Sequence, residues 1–395
     1  MRTKLSVAAV VASVSCIAHA QSSVTLYGIV DAGVLYTNNN KGAAQTSMSQ
    51  ANSSRWGLRG SEDLGGGLNA IFNLENGFTT ATGTLAQGGL EFGRKAFVGL
   101  SSATWGTVTA GRQYSVSDDF VSQFASGADW IATGLGFGTH ASDVDNLNTT
   151  NRIQNAIKYV SPTFDGLTFG ALYSLGGQAG DFSRYEVIDT AVSYANGPIK
   201  LGASYMFTKA PYYATFGDQG NSSTSAAGTN INMNNPIFGG YASAGAQQIA
   251  VAGGSYALGP ATVAVEYSNT KFSNLGSVVT GGAIAAPTYN GGTAVFNSGE
   301  ISIKYLITPA LQVGGGYIYT HNSGAGGFGS AHYNQGNLGA VYYLSKSTSL
   351  YAFGFYQVAA GTDSTGKAAV ADLNGATYSS NNHQLAAIVG VVHRF

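Results

Sequence analysis

From Val24 to Tyr36, alternate positions read Val24, Leu26, Gly28, Val30, Ala32, Val34 and Tyr36, all apolar or glycine. The positions between them, Thr25, Tyr27, Ile29, Asp31, Gly33 and Leu35, are mixed and include a carboxylate. The chain ends in the same way, with Leu385, Ala387, Val389, Val391, His393 and Phe395 sharing one face. A period of two with one apolar face is strand geometry, because successive side chains point to opposite sides of the backbone. Similar segments, bounded by Gly, Pro, Asn, Asp and Ser, predict strands near 23–37, 51–61, 67–78, 89–101, 107–114, 152–161, 167–175, 185–195, 199–208, 248–257, 261–272, 299–307, 311–320, 333–344, 348–358 and 383–395, sixteen in all.

The connectors alternate in length. Short ones read SEDLGGG, SSATWG, PTFDG, NGP, LGP, TPA and SKS; long ones cover about 38–50, 79–88, 115–151, 176–184, 209–247, 273–298, 321–332 and 359–382. Tight turns at one end and long loops at the other describe an all-β, up-and-down antiparallel barrel. Tyr36, Phe78, Tyr114, Tyr173, Tyr205, Tyr256, Tyr267, Tyr305, Tyr317 and Tyr319 fall near strand ends, where a membrane barrel places its aromatic girdles.

Composition decides between a soluble barrel and a membrane one. Only 9% of residues are charged, against about 25% in soluble domains. Beyond the N-terminus no apolar run approaches the roughly 20 residues a transmembrane helix needs. The alternating strands are therefore expected to meet lipid with their outer face. A secreted soluble β domain is the alternative, and it would have to keep so uncharged a surface in solution. Residues 1–20 read as a secretory signal, with Arg2 and Lys4, an apolar stretch from Leu5 to Ile17 and Ala18-His19-Ala20 at the cleavage site. A lipoprotein reading through Cys16 meets Ser13 where an aliphatic residue is usual. The mature chain, 21–395, then has no cysteine, so disulfides and thiol chemistry are excluded. It carries 16 basic and 19 acidic side chains, a balance that gives nucleic-acid binding no support.

Six of the eight arginines lie between 55 and 184. In SRWGLRGSEDLGGGLNAIFNLENGF, Trp56 and Leu58 share a parity that faces outward, which turns Arg55 and Arg59 inward. On the next segment Leu68, Ala70, Phe72 and Leu74 face out and Glu75 faces in; a hairpin centred on Gly65 sets Arg55 opposite Glu75. A charge on the lipid face near the midplane costs about 2–4 kcal/mol, so these charges argue for a wet interior. In GRKAFVGL, pairing Phe97 with the outer face turns Arg94 inward and Lys95 outward, toward a neighbouring subunit or a membrane boundary. In NRIQNAIKYV, Arg152, Gln154, Ala156 and Lys158 share a face, with the parity imperfect around Asn155. No G-x-S-x-G, H-E-x-x-H or P-loop motif occurs, and His140, His321, His332, His383 and His393 are dispersed, so neither an enzyme nor a metal set is expected.

The chain resembles the general porins of Gram-negative outer membranes, particularly those of β-proteobacteria. The resemblance rests on SSVTLYGIVDAGV, SRWGLRGSEDLGGGL, GRKAFVGL, GTVTAGRQY, NRIQNAIKYVSPTFDGLTFGALY and VGVVHRF, which run from the first strand to the last. It implies a sixteen-stranded homotrimeric barrel in the outer membrane, among lipid and lipopolysaccharide, passing ions and small hydrophilic solutes without a cofactor. It also implies an infolded third loop, 115–151, and an arginine ladder facing loop acids. Carried over, the ladder is Arg55, Arg94 and Arg152, with Arg59 as a lower rung and Glu75 bracing Arg55; the acids are Asp118, Asp119 and Asp129, drawn from a loop that also holds Asp143 and Asp145. Phe395 resembles the signal read by the outer-membrane assembly machinery. The P-E-F-G loop tip of enterobacterial relatives is replaced by TGLGFGTH, and their first-strand lysine by Ile29, which leaves the anion or cation preference open. A substrate-specific channel or an adhesin using loops 209–247 and 273–298 is the alternative reading.

Overall fold

A computed structural model of the chain describes residues 23–131, 136–216, 233–280 and 284–395; the expected signal, 1–20, lies outside them. The strands are β1 (Ser23–Asn40), β2 (Ala43–Ser49), β3 (Arg55–Gly65), β4 (Leu68–Gly77), β5 (Lys95–Ser102), β6 (Gly106–Gln113), β7 (Ile153–Val160), β8 (Leu167–Ser174) and β9 (Val187–Asn196). They continue as β10 (Ile199–Lys209), β11 (Ala246–Leu258), β12 (Ala261–Ser273), β13 (Thr293–Thr308), β14 (Leu311–Asn322), β15 (Ser330–Tyr343), β16 (Thr348–Thr362) and β17 (His383–Arg394). Each pairs antiparallel with its neighbour, and β1 closes the sheet on β17 from Ile29 opposite Arg394 to Thr37 opposite Ala386.

Seventeen strands make a sixteen-stave barrel because β2 and β3 lie end to end along β1. β2 pairs with its Gly33–Asn40 part and β3 with its Ser23–Ile29 part. The expected loop at 38–50 is thus mostly strand, turned at Lys41-Gly42. Asp31, fully buried on β1, caps the interruption at 50–54. Its carboxylate accepts from the Ala51 and Asn52 amides at 3.2 and 2.8 Å and from the Asn52 side chain and Tyr351 hydroxyl at 2.7 and 2.6 Å. Backbone donors that lose a sheet partner are thereby satisfied, which a buried ladder break requires.

The outer face carries Val24, Leu26, Val98, Leu100, Ile157, Leu201, Ile301, Leu338 and Val389, all exposed, as a lipid-facing wall must. Tyr36, Tyr205, Tyr256, Tyr267, Tyr305, Tyr317 and Tyr319 join them. Tyr114 does not; it lies inside the barrel.

The connection between β6 and β7 folds inward and carries two short helices, α1 (Val116–Val121) and α2 (Ser126–Asp129). Ser115 caps α1 by accepting from the Asp118 amide. Wall glycines receive this loop. Gly202 and Gly253 face each other across β10 and β11, and a methyl group at either would stand 2.9 or 2.8 Å from the Phe124 ring. Trp130 lies as closely over Gly314 on β14, and Phe137 stacks on Phe355 of β16 at 5.3 Å between centroids. The loop therefore follows the inner wall from β8 round to β16 and leaves the β3–β7 wall facing the lumen. At the mouth, the loops after β10, β12 and β16 bury Tyr212, Phe238, Tyr241, Tyr289 and Ala369 against Phe272 and Phe296 of the wall, an aromatic packing that the Asn- and Ser-rich sequence of these loops does not suggest.

Candidate functional site

The β3–β4 hairpin turns through Gly65, Gly66 and Gly67, all at positive φ, with the Asp63 carboxylate accepting from the Gly65 amide at 2.8 Å. This sets the turn one residue later than the sequence suggested. Arg55 pairs with Gly77, and Glu75 with Gly57, so the expected Arg55–Glu75 pair does not form. Parity is preserved, because the register moves by two positions.

Glu75 belongs instead to Arg94. The Arg94 Nε lies 2.7 Å from Glu75 Oε1 with both side chains buried, and the Arg94 amide donates to the Glu75 carbonyl at 3.1 Å. Arg94 precedes β5, and Arg112 Nε steadies its approach by donating to the Gly93 carbonyl at 2.8 Å. On β5 itself, Lys95 pairs with Glu75 and therefore points inward. The outward assignment of Lys95 is overturned because Val98 and Leu100, not Phe97, meet the lipid.

Tyr114, at the foot of the infolded loop, gathers three of these cations. Lys95 Nζ lies 4.9 Å from its ring centroid, and the Arg152 and Arg94 guanidinium carbons lie 5.2 and 5.8 Å away. Cation–π contacts of this kind are worth about 0.5–2 kcal/mol each, and the ring's negative face holds together cations that repel one another. Tyr27 does related work on β1. Its hydroxyl reaches Glu75 Oε2 at 2.8 Å and Asn73 Oδ1 at 2.9 Å, and Arg59 stacks on its ring at 5.3 Å. To reach Glu75 it crosses Gly57, where a methyl group would stand 2.9 Å from the ring.

The three candidate acids part company. Asp118 feels Lys158, Arg152 and Lys95, and burial together with neighbouring Asp119 pushes its carboxyl up to about 7. Asp119 is bound by Lys158 at 2.7 Å. Asp129 does not face the arginines; it pairs with Lys304 on β13, across the lumen. Asn155 at φ 48° bulges β7, so Ile153 and Ala156, of opposite parity, are both buried against the loop, while Arg152, just ahead of the strand, and Lys158 reach Tyr114 and Asp119. The β3–β7 side thus carries Arg55, Arg59, Arg94, Lys95, Arg152 and Lys158 against Glu75, Asp118 and Asp119. Sequence reading missed Lys95, Tyr114 and Tyr27; the inward parity of Tyr27 with Asp31 was the one available signal.

Residues 6–365 match the Gram-negative porin family. An outer membrane porin of Bordetella pertussis is 31% identical over 392 residues, spanning 90% of this chain and 94% of its own. The chain is a Gram-negative porin. Outer membrane porin protein 32 of Delftia acidovorans is 32% identical, with 87% of this chain and 86% of that protein covered. Among solved structures, the anion-selective porin from Comamonas acidovorans superposes with a TM-score of 0.71 at 24% identity, over 95% of this porin and 100% of that chain. The trimer form of OmpT from Vibrio cholerae gives 0.61 at 17% identity over 95% and 99% of the two chains. As a porin the protein is a channel of the outer membrane rather than an enzyme.

Proposed function

We propose that this porin is a general diffusion channel, assembled as a trimer, that passes small hydrophilic solutes and ions with a modest preference for anions. The observation that carries the preference is the gathering of Arg94, Lys95 and Arg152 around Tyr114 on the lumenal wall, while Asp119 and Asp129 are each neutralised by a lysine. Rows of charge at a constriction set ion preference. Arg55, Arg94 and Arg152 form the basic row, Arg59 a lower rung, and Glu75 and Asp118 the opposing carboxylates. A hydrated lumen spares polar solutes most of their dehydration cost, and the transverse field between loop and wall aligns dipolar solutes while apolar ones must displace ordered water.

Two structural neighbours, one described as an anion-selective porin and one as a trimer, agree with this reading. For assembly, Gly336, Gly354 and Ala387 leave a shallow apolar concavity on the outer face of β15–β17, bordered by Leu338, Tyr356 and Leu385, where a second subunit or lipid and lipopolysaccharide can pack. The exposed Phe395 ring lies across Gly28, and its backbone exchanges hydrogen bonds with that residue at 2.9 and 3.1 Å. That placement suits a signal for the assembly machinery that also seals the barrel seam. Planar-bilayer recording tests the proposal: conductance rising in triple steps, with a reversal potential in a salt gradient on the anion side. A cation-side potential would overturn the charge reading, and saturable block by one solute would favour a substrate-specific channel.

A further inference from the structure

A second polar cluster lies behind the infolded loop, away from the arginine wall. Glu266 on β12 and Glu300 on β13 face each other in register, both inward and both buried. The loop brings His140 and Asp145 against them, equally buried. Glu300 Oε1 accepts from the Ser126 amide at 2.9 Å, but Glu300 Oε2 and both Glu266 oxygens have no hydrogen-bond partner. The His140 ring is held from behind. Its Nδ1 lies 2.5 Å from Asp145 Oδ2, which also accepts from Ser268 Oγ. That leaves His140 Nε2 without a hydrogen bond, 3.5 Å from Glu300 Oε2.

Two carboxylates facing each other in a buried pocket can be ionised together only at a cost of several kcal/mol apiece unless a cation neutralises them. We propose that His140, Glu266 and Glu300 form a binding site for a zinc-class divalent cation that fastens the loop to the barrel wall. One donor atom from each lies within 4.8 Å of the other two. Zinc holds nitrogen and carboxylate ligands at about 2.0–2.2 Å, which sets donors roughly 3.5 Å apart, so modest side-chain rotation closes the site. One imidazole and two carboxylates suit a first-row transition metal rather than calcium or magnesium, which prefer an all-oxygen shell. A carboxylate on the far nitrogen, as Asp145 supplies, fixes the tautomer that presents Nε2 to a metal. The ion ties the middle of the loop to β12 and β13, on the side away from the conducting wall.

Detergent-extracted protein, stripped with a chelator and incubated with zinc chloride at neutral pH, is freed of excess metal and its zinc content measured by atomic emission. The expected result is one zinc retained per chain and a higher unfolding temperature, both lost in Glu266→Gln and in His140→Gln. Glu266→Gln removes a buried charge and should fold, which keeps the test informative if His140→Gln does not. No retention by the native chain overturns the proposal. So does undiminished retention by both variants, which would place zinc elsewhere, as at the facing pair His321 and His332.

Discussion

Arg94 Nε lies 2.7 Å from Glu75 Oε1, and both side chains are buried although the nearest sequence-based partner for Glu75 was Arg55. The carboxylate thus anchors the rung that arrives from outside the strand, and Tyr27 fixes its second oxygen. Removing one member of a buried pair costs about 3–5 kcal/mol. Glu75→Gln is expected to lower the unfolding temperature in detergent and to move the reversal potential further toward anions. An unaltered potential would remove Glu75 from the conducting path.

Replacing Arg55, Arg94 and Arg152 together by uncharged residues is expected to raise cation permeability relative to anions, by several-fold in a salt-gradient reversal-potential measurement. If the potential stays where it was, the basic row does not govern conduction.

Asp118 supplies a pH dependence. Its carboxyl titrates at about 7 in the folded chain, raised by burial and by Asp119 from its ordinary value of 3.8. Lowering the pH from 8 to 6 therefore adds a proton, removes a negative charge from the lumen and should strengthen anion preference. Asp118→Asn should abolish that change. Between about pH 4 and 7 the folded chain holds a proton that the unfolded chain has lost, so stability falls as pH rises through that window.

The Asp31 cap predicts a stability effect separate from conduction. Asp31→Ala takes the acceptor from the Asn52 amide, at about 1–3 kcal/mol for a buried donor left unsatisfied, and leaves the Ala51 amide only the Tyr351 hydroxyl at 3.3 Å. The variant should unfold at lower temperature with an unchanged single-channel conductance.

Phe395→Ala is expected to reduce the amount of protein reaching the outer membrane while leaving refolding into detergent intact. Equal membrane yields for the two proteins would count against an assembly role.

Most staves were readable because lipid demands an apolar outer face, and alternation reports that demand directly. Where strands run beyond the lipid, the demand ends and so does the signal. β2, read as part of a loop, has the polar sequence AAQTSMS, and β13 begins at Thr293 rather than at the predicted 299 because there Ala294 and Phe296 turn the apolar face inward, against the mouth loops. Three consecutive glycines hid the centre of the β3–β4 turn, which only the Asp63 contact resolves. Lys95 was misplaced because Phe97 was assumed to seek lipid; an aromatic ring inside a wide barrel breaks that rule. The lysine partners of Asp119 and Asp129 and the cluster around His140 depend on where the loop lies against distant strands, which local pattern does not encode.

The notches at Gly202, Gly253 and Gly314 carry a consequence for bore. Since Phe124 and Trp130 rest directly on wall backbone, the width left between loop and basic row is a property of the barrel's own skeleton rather than of loop slackness. A single methyl group added at one of these notches would push the loop inward, narrowing the aperture while every formal charge stays in place, so size exclusion and ion preference are separately adjustable in this architecture.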